Sequence, residues 1–301
     1  MPNADGTLRP DWSTMEYVGF HASQDRILGV DDTGVIAFDS AGLLPKGYRA
    51  KDYLWCFLPD GGLLWQENVD FGNSVTFIRC ACDGSEMWQK SVKDPGYHFF
   101  ACKNSEIIFT SESAETCWLE RIDGLTGSTI EKMAKPFGLN AWSKAYHNGC
   151  WWIAHDGNIL KDGKRESQGN TLTKLDGTFR PLAELALPIY TQELFFSPDN
   201  AYVYVFFFQD QVMVLNAETL AVENVLIDKS CLIPCGFDSD GRFWLRRDHS
   251  TVEAWDSLLS RPLSRHRLKG EIMGHHQNEQ GAMCIVAWRK KDKVLRIYKL
   301  A

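Results

Sequence analysis

Residues 175–181 read LDGTFRP, and residues 3–10 read NADGTLRP. The same phrase, a short apolar run closed by Asp or Asn with Gly, Ser or Thr and followed by a second run, recurs as AFDSAG at Asp39, RCACDGS at Asp83, RIDGLTG at Asp123, LNAETL at Asn216 and AWDSLL at Asp256. Asp and Asn fold such turns by bonding their own backbone, and Gly tolerates the conformations that result. Counting Asp5 and Asp176, the copies are spaced by 34, 44, 40, 53, 40 and 40 residues. A second series of turn phrases lies between them: ASQD at 22–25, LPDGG at 58–62, CKNSE at 102–106, HNG at 147–149, SPDN at 197–200, DSDG at 238–241 and QNEQG at 277–281. Self-similarity at a fixed period outranks any element-by-element reading.

Between the turns the runs have the length and content of strands, as in EIIFT at 106–110, YVYVFFF at 202–208, RFWLR at 242–246 and VLRIYKL at 294–300. No stretch has the pattern of a long amphipathic helix. Four short strands per repeat of roughly 40 residues is the unit of a β-propeller. The expected fold is therefore all-β, a single domain over residues 1–301, forming a seven-bladed β-propeller of four-stranded antiparallel blades. The last segment, VLRIYKLA, stops where the other copies reach their turn, and NADGTLRP supplies the missing outer strand. The ring is thus expected to close through the N- and C-terminal strands in one blade, which leaves no frayed edge at the junction.

FFSPDNAYVYV at 195–205 resembles the SPDG-x-x-x-YV phrase of YVTN repeats, and IDGLTG at 122–127 resembles the Asp-x-x-Thr-Gly turn of quinoprotein-like repeats. Trp255-Asp256 and Gly274-His275 are similar to WD40 signatures, once each. The chain thus resembles the superfamily of seven-bladed propellers with YVTN, quinoprotein-like or WD40-like repeats. The resemblance implies the fold and carries no activity with it.

Composition narrows the function. With 32 basic and 39 acidic side chains the net charge is −7, so no basic surface dominates and nucleic acid is not an expected partner. The longest apolar run, Tyr202 to Phe208, is far too short to span a bilayer, so no membrane role is expected. The nine cysteines are odd in number, and Cys56, Cys150 and Cys284 sit among apolar neighbours, where a thiol is a small hydrophobe. Reduced thiols and a cytoplasmic location follow, and MPNADGTLRPD lacks the basic start and apolar core of an export signal.

Loop length separates two faces. Both turn series are tight, so their face is expected to offer little room for chemistry. The opposite face carries the connections between second and third strands and between blades, and binding is expected there. Its blade-to-blade segments hold Tyr48, Tyr53, Trp55, Tyr97, His98, Phe137, Trp142 and Tyr190, and the other loops add an acidic rim that includes Asp31, Asp32, Asp70, Glu112 and Asp210. Aromatic anchors within a charged ring suit a protein interface. The 53-residue repeat carries its surplus in HDGNILKDGKRESQGN at 155–170, a charged hairpin with Lys161 and Arg165 near its tip.

Motifs for other chemistry are missing: no Gly-x-Ser-x-Gly elbow, no phosphate-binding loop and no dinucleotide fingerprint occurs. Of the eight histidines, His21, His98, His147, His275 and His276 fall on first strands, but no spacing makes three or four converge on a metal. No metal, cofactor or catalytic residue is expected. The expected role is a non-catalytic propeller that grips a protein partner, a basic one given the acidic balance, in the manner of an immunity-type neutraliser of a bacterial toxin. The alternative is a lactonase- or lyase-type enzyme at the channel mouth, with His98, Glu193 and His275 as its candidates.

Overall fold

The computed structural model describes residues 7–8, 16–21, 26–31, 34–39, 42–43, 54–58, 60, 62–70, 74–81, 85–93, 97–103, 105–111, 118–138, 140–161, 164–166, 169–208, 211–228, 233–277, 283–289, 291 and 294–300. Among them every regular element is a strand, and the strands form seven four-stranded antiparallel sheets and one two-stranded hairpin. Sheet 1 is Glu16–His21, Arg26–Asp31, Gly34–Asp39 and Gly42–Leu43; sheet 2 is Leu54–Phe57, Leu63–Asp70, Ser74–Cys80 and Glu86–Val92; sheet 3 is Tyr97–Lys103, Glu106–Ser111, Trp118–Asp123 and Thr129–Ala134. Sheet 4 is Ala141–His147, Cys150–His155, Thr171–Leu175 and Pro181–Ala186; sheet 5 is Thr191–Phe196, Tyr202–Phe207, Gln211–Asn216 and Val222–Ile227; sheet 6 is Ile233–Phe237, Phe243–Arg246, Thr251–Trp255 and Pro262–Arg267. Sheet 7 combines Glu271–Gln277, Met283–Arg289 and Val294–Leu300 with Thr7–Leu8 from the other end of the chain, pairing Thr7 with Arg296 and Leu8 with Leu295.

The core lies between sheets. Trp152, Ala154 and Leu172 of sheet 4 pack on Leu194, Val203 and Val205 of sheet 5, while Tyr204 and Phe206, on the other face of the same strand of sheet 5, pack on Phe243 and Leu245 of sheet 6. Because both faces of a second strand meet a neighbour, its residues are apolar without alternation: Cys150–His155 and Tyr202–Phe207 are buried at every position after the first. Double-sided burial is what makes such strands read as continuous apolar runs. Outer strands behave differently. In Pro181–Ala186, Val222–Ile227 and Pro262–Arg267, exposed and half-buried residues alternate from the second position on, as in a strand with one covered face.

The turns after third strands are built by their acids. Asp123 accepts the N–H groups of Leu125 and Thr126, both at 2.9 Å. Asp176 accepts those of Thr178 at 2.7 Å and Arg180 at 3.0 Å, and Asn216 accepts those of Glu218 and Thr219 at 3.0 Å. Each such turn needs one residue in the left-handed region. Phe179, Leu220 and Leu259 occupy it with φ of 65°, 60° and 52°, a conformation that costs a non-glycine residue about 1–2 kcal/mol. All three side chains are buried, so packing offsets the strain. Sheet 3 solves the same problem with Gly127, at φ 72°, where a Cβ would lie 3.0 Å from the Trp88 ring of sheet 2.

The same turns join the sheets. In sheets 3, 5 and 6 the carbonyl of the residue after the turn acid accepts a donor from the sheet before it: Trp88 Nε1 donates to Gly124 O at 3.0 Å, Lys174 Nζ to Ala217 O at 2.8 Å, and Tyr204 OH to Ser257 O. Asn224 adds a second bond from sheet 5 to sheet 6, to Leu258 O at 2.7 Å. First strands also meet: that of sheet 1 lies against those of sheets 2 and 7, and those of sheets 3 and 4, 4 and 5, and 6 and 7 lie against each other.

Backbone N–H groups, led by that of Thr126, hold the Asp123 carboxyl below its ordinary value, and Arg180 N–H with the Thr178 hydroxyl does the same for Asp176. A depressed folded-state pKa contributes stability above the unfolded value, here 3.8, and that contribution is lost as pH falls through the folded value. The melting temperature is therefore expected to fall below about pH 4. The double variant D123N/D176N, which keeps the acceptor oxygens as Asn216 does, is expected to fall less; identical acid limbs in thermal melts would refute this account of the turns.

Candidate functional site

Strand order puts the long connections at one end of the sheets. At that end of sheet 5, Thr191, Phe207, Gln211 and Ile227 form a row of paired residues. Tyr190 precedes this row, Phe208 follows Phe207, and Ile227 closes it, with exposures of 52%, 64% and 66%. Trp142 of sheet 4, 44% exposed, packs edge-to-face on Tyr190 with ring centroids 4.9 Å apart. Four large apolar side chains thus share one open end of two adjacent sheets.

A bulge is what presents Trp142. The ladder between the first two strands of sheet 4 pairs Ala141 with His155 and Ser143 with Ala154, so Trp142 is an inserted, unpaired residue. Bulges re-aim a side chain in this way. First strands of sheets 1, 3, 5, 6 and 7 carry the same irregularity, at Tyr17/Gly19, Phe99/Ala101, Thr191/Glu193, Pro234/Gly236 and Ile272/Gly274. In sheet 6 the bulged residue is Cys235, 4% exposed. One backbone device therefore displays an indole in one sheet and hides a thiol in another.

Beside Trp142 stands the base of the charged hairpin, whose strands Ile159–Lys161 and Lys164–Glu166 pair with each other. Asp156, buried below it, accepts Asn158 N–H at 2.9 Å, Asn158 Nδ2 at 2.6 Å and Asn140 Nδ2 at 2.5 Å. His155 Nδ1 accepts the N–H groups of Gly157 at 3.1 Å and Gly138 at 3.3 Å, so the ring proton sits on Nε2, 2.8 Å from Thr173 Oγ1. Burial pushes His155 down to about 4, with the Asp156 charge opposing and the Lys135 charge assisting. The hairpin leaves the sheet from a fixed root.

The expected site residues divide as follows. Trp142 and Tyr190 are brought together, as described. Tyr97 and His98 begin the first strand of sheet 3, Asp31 ends the second strand of sheet 1, Asp70 ends the second strand of sheet 2, and Lys161 and Arg165 lie on the hairpin, all at the long-loop end; their side chains fall outside the description. Tyr48, Tyr53, Asp32, Glu112 and Asp210 lie outside the described residues. Phe137, grouped with the binding aromatics in sequence, is instead buried between sheets 3 and 4 with Trp151 and Ile153. The named site residues omit Phe208 and Ile227, although FQDQ at 208–211 reads as one of the connections of this face, and the strand indeed ends at Phe207.

Two further groups lie away from this patch. Glu193, Cys235 and His275 stand on the first strands of sheets 5, 6 and 7. Burial lowers His275 to about 4, with the Arg246 charge adding to the effect. Burial raises Cys235 to about 12, partly opposed by Arg246. Glu193 keeps an open side, yet crowding raises its carboxyl to about 7. On the opposite face, the expectation of little room fails: a cavity of about 290 Å³ opens between the turns of sheets 4 and 5. Among the described residues no three His, Cys, Asp or Glu gather as a metal would need, and no helix is long and apolar enough to cross a membrane. Cys80, Cys150, Cys235 and Cys284 carry free thiols.

Repeated four-stranded antiparallel sheets packed face to face define a β-propeller-like fold, and solved structures share it. The chain is similar to BamB from Moraxella catarrhalis (TM-score 0.58, 12% identity, covering 98% of each chain). It is similar to the computationally designed protein Ika8 (TM-score 0.61, 12% identity, 95% of this chain and 96% of that one) and to Sqt1 from Saccharomyces cerevisiae (TM-score 0.60, 9% identity, 92% and 81%). No family model and no curated protein sequence matches.

The raised value of Glu193 has a thermodynamic sign. Its protonated form favours the fold, so the contribution is fully present below the unfolded value of 4.5 and is lost as pH rises through about 7. Glu193→Gln is expected to melt with wild type at pH 5 and above it at pH 8. Parallel melting curves at both pH values would show that the carboxyl is freely hydrated.

Proposed function

We propose that residues 1–301 form a single non-catalytic propeller domain that binds a protein partner across its long-loop face. The observation that carries this reading is the exposed set Trp142, Tyr190, Phe208 and Ile227 at one end of sheets 4 and 5. Lone exposed hydrophobes need no explanation, but a group at one end of two adjacent sheets with three aromatics, two of them in contact, has the composition of an interface centre. The net charge of −7 favours a basic partner. A neutralising, immunity-type role toward a basic protein such as a bacterial toxin is the specific form of the reading, and it draws on that charge alone. The free thiols among the described residues support a reducing, cytoplasmic setting. A lactonase- or lyase-type reaction at the channel mouth has Glu193 and His275 in its favour, since perturbed acids and bases cluster at reactive sites.

In the variant Y190A/F208S, partner capture from the native host is expected to weaken at least tenfold, or about 1.4 kcal/mol, with an unchanged melting temperature. Replacing residues 158–168 by a short Gly-Ser turn is expected to spare the fold and weaken the same partner. A partner held equally by folded forms of both variants would move the interface elsewhere.

The pairing of Thr7–Leu8 with Val294–Leu300 supports a ring of seven blades closed by both ends of the chain. Deleting residues 1–12 is then expected to lower the melting temperature of the whole domain in one cooperative transition. An unchanged melt would remove the closure.

A further inference from the structure

The row Trp152, Lys174, Ala183 in sheet 4 is the counterpart of the row Tyr204, Val214, Asn224 in sheet 5, by strand pairing. In sheet 5, Tyr204 and Asn224 both reach the turn of sheet 6 and fill the joint. In sheet 4 the outer position is only Ala183, and Lys174 reaches the turn of sheet 5 through Ala217 O, with a cavity of about 290 Å³ left beside it. That volume sits at the small end of ligand pockets, which begin near roughly 300 Å³.

The lining is ordered and carries two opposite charges. Lys174 Nζ is held 2.8 Å from Ala217 O and 4.9 Å from the centre of the Trp152 ring, so its ammonium is fixed in place while two of its three N–H groups stay available among the described residues. Glu218 follows Ala217 directly; its backbone N–H is fixed on Asn216 Oδ1 at 3.0 Å, and its exposed carboxylate makes no ion pair among the described residues. His147 stacks on Phe196 at 4.2 Å, and burial holds it below its ordinary value, partly opposed by a hydrogen bond with Asn200. Asn148 and Asn200, fixed in the left-handed region with φ of 46° and 62°, contribute to the same lining.

We propose that this cleft binds a small amino-acid-type zwitterion, with its carboxylate at Lys174, its ammonium at Glu218 and its apolar side chain against Trp152 and Cys150. A simple anion would face Glu218 and a simple cation would face Lys174; a zwitterion meets both with opposite sign. The cleft lies at the opposite end of the strands from the exposed aromatic patch, so its occupancy and partner docking are separable.

The test is calorimetry and ligand-observed NMR with the full chain, using L-phenylalanine and L-leucine as probes, and phenethylamine and 3-phenylpropionate as analogues lacking one charge each. At least one amino acid is expected to bind, with both analogues weaker by at least tenfold. Lys174→Met is expected to remove the discrimination against phenethylamine. Because that variant also cuts the tie to Ala217, Cys150→Phe serves as the second: it fills the cleft, keeps both charges, and is expected to abolish binding with an unchanged melt. Absence of amino-acid binding up to about 10 mM, equal binding of either analogue, or binding that survives in folded Cys150→Phe would each overturn the proposal.

Discussion

In sheets 3, 5 and 6 the joint to the preceding sheet depends on one carbonyl. When a chain turns sharply after a third strand, its backbone polar groups leave the ladder and must be satisfied elsewhere. The turn acid takes the N–H groups, and the next carbonyl, left pointing outward, takes a donor from the preceding sheet. Gly124 receives Trp88, Ala217 receives Lys174 and Ser257 receives Tyr204. The donors differ chemically while the acceptor position is constant. Each bond is part-buried and contributes about 1 kcal/mol net, and together they fix the stagger of one sheet on the next.

That constraint makes the tight-turn face conservative in shape. Residues around these turns keep an Asp or Asn acceptor and a left-handed residue, such as Phe179, Leu220 or Gly127, in fixed relation. No comparable demand acts on the other end of the strands, where connections need only return the chain to the next sheet. Length, charge and aromatic content can vary there at little cost, since loop closure entropy rises slowly with length. The 155–170 insertion uses that freedom, and still carries a buried anchor of its own in His155 and Asp156.

This division explains what could be read from the amino-acid sequence. The turn acids were legible because their chemistry is local: Asp123, Asp176 and Asn216 bond residues two to four positions away. Apolar second strands were legible because both faces are covered. The bulges were not. Nothing in AWSKAYH distinguishes the inserted Trp142 from a paired residue, because the insertion is defined by the partner strand and not by local preference. Phe137 and Trp142 look alike in sequence, five residues apart on one connection, yet one is a wedge between sheets and the other is open to solvent. The cavity was hidden for a related reason: it is a difference between two joints, Ala183 against Asn224 and Trp152 against Tyr204, and becomes visible only once the rows are aligned across sheets.

A repeat architecture thereby separates what must be the same from what may differ by position in the blade. Second strands are covered on both faces, so a change along one is felt on both sides: Val203 and Val205 pack on sheet 4, while Tyr204 and Phe206 pack on sheet 6. A change at a strand end or in an outer strand is felt once. Departures from the repeat are found at three places: at the bulged residue of a first strand, in the connection after a second strand, and at the outer position of a joint. Those three places are where Trp142, the hairpin and the Lys174 cleft are found, which ties each candidate for function to a point where the chain departs from its own repeat.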